Sequence, residues 1–65
     1  MERLRTQEET AALVATIPLE ERLPSINMVA RALCDERTGL TEIGLHNGVL
    51  MIACLATSIL EAIRA

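Results

Sequence analysis

The segment from Leu40 to Ala65 is the feature that most restricts what this chain can fold into, because it is long, apolar and interrupted by few polar residues. At about 100° per residue, its larger apolar side chains fall on one side of a helix and most of its polar side chains fall on the other. No alternation of apolar and polar residues is kept, which argues against a strand. The residues on the apolar line are Leu45, Val49, Ile52, Ala56, Ile59 and Ile63. We therefore predict an amphipathic helix with Thr41 as its N-cap and Glu42 in its first turn.

The opposite side of this helix is also partly apolar, and the run from Val49 to Ala56 contains no polar residue. A helix that is apolar nearly all round needs burial on more than one side. A chain of 65 residues has little other structure to supply that burial. The sequence therefore predicts homodimerisation through this helix. The expected interface residues are Leu45, Gly48, Val49, Ile52, Leu55, Ile59 and Ile63.

A membrane span is an alternative interpretation of the same segment. Residues 43–63 hold one charged residue, Glu61, and approach the length of about 20 residues that a span needs. Gly44 and Gly48 have the spacing found where membrane helices touch, although close approach of two helices in a soluble fold also explains them. No aromatic residue is available for an interfacial belt, and no basic cluster flanks the segment. The polar residues that interrupt it are His46, Asn47, Thr57 and Ser58.

The N-terminal part predicts a first helix over about residues 6–17. Thr6 and Glu9 have the spacing of a capping box, and Pro18 ends the helix because the residue before a proline is driven out of the α region. Residues 1–5 precede the cap and are expected to form a loose leader. The first helix would pack on the long one through its best face, which consists of Thr10, Leu13, Val14 and Ile17.

A second full helix is predicted over residues 25–37, with Ser25 as its N-cap. Residues 19–23 form either a single turn or the first part of a kinked helix that continues through Pro24. Gly39 is expected to close the helix in the left-handed conformation. The short connection then makes this helix and the long one neighbours in a hairpin. Its apolar face consists of Ile26, Val29, Ala30 and Leu33.

Together these patterns predict an all-α fold. The chain forms a single helical domain over residues 1–65, with helices at about 6–17, 25–37 and 41–64. The last two helices make a C-terminal helical hairpin, and homodimerisation completes the fold.

Composition narrows the classes of function. The chain is 51% apolar and 23% charged, which is typical of a folded protein. It has no aromatic residue on which bases could stack, and its net charge of −3, with six arginines and no lysine, disfavours nucleic-acid binding. Cys34 and Cys54 lack metal or redox spacing, and the charged N-terminus does not resemble a signal peptide. We expect a cytoplasmic protein whose two thiols are reduced and serve as small core residues.

No arrangement of residues points to catalysis. His46 is the only histidine, and it lies about 12 Å along the helix from Cys54, too far for a nucleophile–base pair. A surface histidine with its hydrogen bonds satisfied is the simpler interpretation. The expectation is that the chain is not an enzyme and has no catalytic, cofactor or metal site.

The function that fits this description is a small protein-interaction module. It would act on a partner protein as an inhibitor, adaptor or antitoxin-like regulator. The alternatives are the single-span membrane protein and a nucleic-acid-binding regulator that resembles helix-turn-helix proteins only in the spacing of its last two helices. Charged, exposed residues are the candidates for partner binding. These are Arg31, Asp35 and Arg37, with Arg3 and Arg5 as further candidates.

Overall fold

The computed structural model describes residues 3–35 and 39–65. Within them the chain forms helices α1 (Gln7–Ala15), α2 (Leu19–Asp35) and α3 (Glu42–Arg64), with no strand. The all-α prediction is confirmed. Met1, Glu2 and residues 36–38 lie outside the described part, so the predicted end of the second helix at residue 37 is not tested.

The two predicted threonine N-caps, Thr6 and Thr41, are both present. The Thr6 hydroxyl accepts from the Glu9 backbone N–H at 3.1 Å, and the Thr6 N–H donates to Glu9 Oε1 at 3.1 Å, so both halves of the capping box form. The Thr41 hydroxyl accepts from the Gly44 N–H at 3.0 Å and opens α3. These local contacts fix where α1 and α3 begin.

Helix α2 begins earlier than predicted. It starts directly after Pro18 and runs through Pro24, so residues 19–23 belong to it and Ser25 is not an N-cap. Instead the Ser25 hydroxyl donates to the Glu21 carbonyl at 2.7 Å, one turn back in the same helix. Pro24 removes one backbone hydrogen bond, and it lies on the exposed side of α2, where water can satisfy the freed carbonyl.

Helix α3 lies at the centre, and both other helices pack on it. Leu33, late in α2, touches Gly48, early in α3, so these two helices pack beside each other as the predicted hairpin requires. The backbone of Arg5, just before α1, bonds to Asn47 of α3. Ala15, at the end of α1, shares a groove with Glu61 near the end of α3, so α1 and α3 run in the same direction.

The three glycines differ in what surrounds them. A Cβ on Gly48 would lie 2.7 Å from Leu33 Cδ2, so this glycine permits the close approach of α2 and α3 that its spacing predicted. A Cβ on Gly44 would meet only Leu40 and Thr41, so the same prediction is wrong there. Gly39 does not have a positive φ, so the predicted left-handed cap is also wrong.

Alanine at position 48 is expected to lower the free energy of unfolding by about 1 kcal/mol. Overpacking against Leu33 costs about 1–3 kcal/mol, and the higher helix propensity of alanine returns about 1 kcal/mol. Urea unfolding followed by circular dichroism measures the change. Gly39→Ala is the matched control, because nothing lies within 4 Å of its Cβ, and it should be neutral or slightly stabilising. A Gly48→Ala variant more stable than the wild type would contradict this account of the helix contact.

The buried core is small. Among the described residues, only Thr10 and Val14 of α1 and Leu55 of α3 are buried. The accessible surface is 5004 Å², whereas a compact monomer of 7.1 kDa has about 4,100 Å². The radius of gyration of 12.1 Å likewise exceeds the value of about 10.7 Å for a compact chain of this length. The three helices therefore leave much of their apolar surface in contact with solvent.

Candidate interaction surface

The largest exposed apolar feature is a stripe along α3. Its residues are spaced alternately four and three apart, which is the spacing of a helix seam in a coiled coil. Leu45 and Val49 are 50% and 52% exposed, and Ile63 is 73% exposed, while the members between them are half-buried. We call this set the α3 stripe; it consists of Leu45, Val49, Ile52, Ala56, Ile59 and Ile63. Leu60, 50% exposed, lies beside it.

Two residues of the predicted interface do not belong to this exposed surface. Leu55 is completely buried, and the side chain of Leu33 fills the space beside Gly48. Both lie on the neighbouring side of α3, where the other two helices pack. The sequence pattern missed this division because apolar residues cover both sides of α3, and a helical wheel does not show which side the rest of the chain covers. The interface prediction therefore narrows to Leu45, Val49, Ile52, Ile59 and Ile63, with Ala56 added.

Opposite charges stand at the two ends of the α3 stripe. Glu42, in the first turn of α3, and Arg64, in its last turn, are both exposed. By helical spacing both lie on one flank of the stripe, with Arg64 about a quarter turn from its line. Each is also favourably placed toward the helix dipole, with the acid at the N-terminus and the base at the C-terminus.

Residues 3–5, the described part of the predicted loose leader, are held against α3. The Asn47 side chain accepts from the Arg5 N–H at 2.9 Å and donates to the Arg3 carbonyl at 2.8 Å. The His46 ring nitrogen Nε2 lies 3.2 Å from the Arg5 carbonyl. The asparagine amide has both an NH2 donor and a carbonyl acceptor, so one side chain can bond to a backbone carbonyl and a backbone N–H at the same time. Sequence reasoning missed this anchor because it depends on a contact between distant parts of the chain.

Arg3 is engaged within the chain. Its guanidinium forms an ion pair with Glu9, and its Nη1 donates to Glu9 Oε1 at 2.8 Å. The hydrogen bond from Arg3, followed by that from the Thr6 backbone, lowers the pKa of the Glu9 carboxyl to about 2. The same pairing raises the pKa of Arg3. One carboxylate thus joins the capping box of α1 to the anchored residues before it.

This pairing makes stability depend on pH. Because the pKa of Glu9 is lowered by folding, its contribution is present above the ordinary carboxyl pKa and is lost as the pH falls from about 4.5 toward about 2. Wild type is expected to be more stable than Glu9→Gln at pH 6, and the difference should shrink steadily toward pH 3. Thermal unfolding of both proteins across this range measures it. Glu8→Gln, which removes a carboxylate from the same turn, is the control, and a difference between wild type and Glu9→Gln that stays constant with pH would contradict the assignment.

The residues predicted to bind a partner on α2 are partly visible. Arg31 and Asp35 are exposed, and no ion pair joins them. Arg37 lies outside the described residues. Nothing in the structure draws Arg31 and Asp35 into one site, and their role in binding stays a prediction.

A groove of about 560 Å³ lies between α1 and α3. Both small apolar and polar side chains line it, with Arg22 of α2 and Glu61 of α3 among the polar ones. The Arg22 Nε donates to the Ile17 carbonyl at 2.9 Å, which fixes that side chain at the end of α1. The small side chains of the lining include Ala11, Ala15, Ala53 and Cys54.

The two cysteines have different surroundings. Cys54 is half-buried beside the groove, whereas Cys34 is exposed on α2, so its predicted place in the core is wrong. Both are free thiols. In the part of the chain that the structure describes, no three His, Cys, Asp or Glu side chains come together as a metal site would require.

Helix α3 is long and apolar enough to cross a membrane by length and composition. Its most apolar window has a mean hydropathy of 1.8, and 6% of that window is buried in the fold. The same criteria are met by core helices of soluble proteins, which are mostly buried. The low burial of α3 is therefore the feature that any function assigned to it must explain.

Comparison of the chain with protein-family models, with curated proteins and with solved structures finds no match.

Proposed function

We propose that the chain is a small non-enzymatic protein-interaction module with a homodimeric scaffold built on α3. In this role it acts on a partner protein as an inhibitor, adaptor or antitoxin-like regulator. The observation that carries the proposal is the exposure of the α3 stripe, whose ends Leu45 and Ile63 are 50% and 73% exposed. Contiguous apolar surface of this extent marks an interaction site on a soluble protein.

The polar side chains support binding over catalysis. Thr6 and Thr41 cap helices, and Asn47 anchors the chain before α1. Glu9 is used by Thr6 and Arg3 together. These groups are engaged in holding the fold, and the surface that is left for a partner is mainly apolar.

The mass in solution tests this proposal. Light scattering on a size-exclusion column, without detergent, is expected to give a soluble species of at least twice the 7.1 kDa of one chain. Capture of a defined target by the dimer would then establish the regulatory role. A monodisperse monomer at about 100 μM, far above the Kd of a stable dimer, would contradict the homodimeric scaffold.

A single-span membrane protein using residues 43–63 is the second candidate. The observation in its favour is the apolar length of α3 together with its low burial. Against it, α1 and α2 both pack on α3, and Leu55 and Gly48 are already enclosed by those contacts. A helix surrounded by lipid would have to release them. Protein that is recovered only with detergent would favour this candidate over the first.

Nucleic-acid binding is not proposed. In a helix-turn-helix arrangement α3 would be the recognition helix, and its exposed side carries Leu45 and Val49 in place of donors to base edges.

A further inference from the structure

We infer that the occupant of the α3 stripe is the same stripe of a second copy of this chain, packed antiparallel. The two-fold axis crosses α3 at the level of Cys54, midway between Leu45 and Ile63. This inference rests on the proposed homodimeric scaffold and adds to it the face, the direction and the register of the contact.

The spacing of the stripe fits another helix. Its members alternate four and three residues apart from Leu45 to Ile63, so they stay in line along the whole of α3. A straight apolar line of this kind is the seam that two helices share, with side chains of one inserted between those of the other. Helix α2 carries a line of the same spacing that begins at the exposed Leu19 and Leu23, but its last member, Leu33, packs on Gly48 of α3 within the same chain.

The register of the stripe is self-complementary under antiparallel pairing. With the axis at position 54, two residues that face each other lie equally far from that position, one before it and the other after it. Each stripe residue then faces another stripe residue, and none faces a polar one. The pairs are Leu45 with Ile63, Val49 with Ile59, and Ile52 with Ala56, each formed twice because the symmetry is two-fold. At the centre a large side chain faces a small one, which permits close packing.

The charges at the ends favour the antiparallel direction. In this register Glu42 of one copy lies within two residues, or about 3 Å along the axis, of the position facing Arg64 of the other. Both side chains are exposed beside the stripe, so they can pair at each end of the contact. A parallel dimer would instead bring two Glu42 side chains to one end and two Arg64 side chains to the other, so the charges at each end would have the same sign.

The area available matches that of a stable dimer. The chain exposes 5004 Å², about 900 Å² more than a compact monomer of its mass. A standard interface buries about 800 Å² on each partner. The excess surface of the whole chain is therefore about as large as the area that one standard interface covers on each partner.

Cross-linking between two labelled chains tests the direction and register. In a background with Cys34→Ala and Cys54→Ala, single variants Val49→Cys and Ile59→Cys are treated with a short bismaleimide, separately and as a refolded mixture. Cross-linked product is expected in the mixture, with little from either variant alone. Strong self-cross-linking of each variant would overturn the antiparallel direction. A dimeric mass without cross-linked product would place the contact on another face, and a monomeric mass would overturn the homodimeric scaffold itself.

Reversal of the end charges gives a second, independent measurement. Glu42→Arg is expected to raise the dimer Kd about fivefold, because it places two arginines together at each end. The double variant Glu42→Arg with Arg64→Glu should return the Kd toward the wild-type value. An unchanged Kd in the single variant would contradict the pairing, and helix content by circular dichroism shows whether α3 itself has been altered.

Discussion

Replacement of Leu55 by alanine is expected to lower the free energy of unfolding by about 3 kcal/mol, the usual cost of truncating a buried leucine. Leu55 is completely buried in α3, the helix on which α1 and α2 both pack. A domain of 65 residues has a total stability of about 3–10 kcal/mol. The variant should therefore be largely unfolded at moderate urea concentrations where the wild type is folded.

Urea unfolding at one fixed protein concentration measures this effect, since dimerisation would make the stability depend on concentration. Leu23→Ala is the matched control: the same change in a helix, at a side chain that is 67% exposed. The control should lose less than about 1 kcal/mol. Equal losses in the two variants would mean that the burial of Leu55 does not hold the three helices together.

The caps show how much of the fold the sequence could predict. Thr6 with Glu9, and Thr41 with Gly44, act through hydrogen bonds within one turn, so their spacing alone located the starts of α1 and α3. The half-buried face of α2 is also the predicted one, with Asn27, Arg31 and Asp35 on the exposed side. Contacts that are local, or that follow a helical period, can therefore be predicted from the sequence alone.

The features that sequence reasoning missed depend on distant residues. Proline is typical of a helix boundary, but α2 continues through Pro24. The carbonyl that loses its hydrogen bond there faces solvent, where water can bind it. Asn47 gives no sign in the sequence that it holds the backbone of Arg3 and Arg5. Leu55 and Val49 are both apolar residues of α3. Leu55 is buried and Val49 is exposed only because of where α1 and α2 pack on α3.

A charge introduced into the α3 stripe is expected to abolish the dimer. Val49 is 52% exposed in the single chain, so Val49→Glu leaves α3 and its contacts with α1 and α2 intact. In the antiparallel dimer the same carboxylate would face Ile59 of the second copy at two symmetric places. An unpaired buried charge costs about 3 kcal/mol or more, so the dimer Kd should rise at least about 100-fold. Sedimentation equilibrium over a range of concentrations measures the change.

Met28→Glu is the control for this variant, because it adds the same charge to a side chain that is 66% exposed on α2, outside the stripe. It should leave the Kd within about threefold of the wild-type value, since exposed charges far from a contact act weakly through solvent. Circular dichroism must show equal helix content in both variants, so that loss of the dimer is not confused with unfolding. If Met28→Glu dissociated the dimer and Val49→Glu did not, the contact would lie on α2, and the exposed α3 stripe would need another occupant.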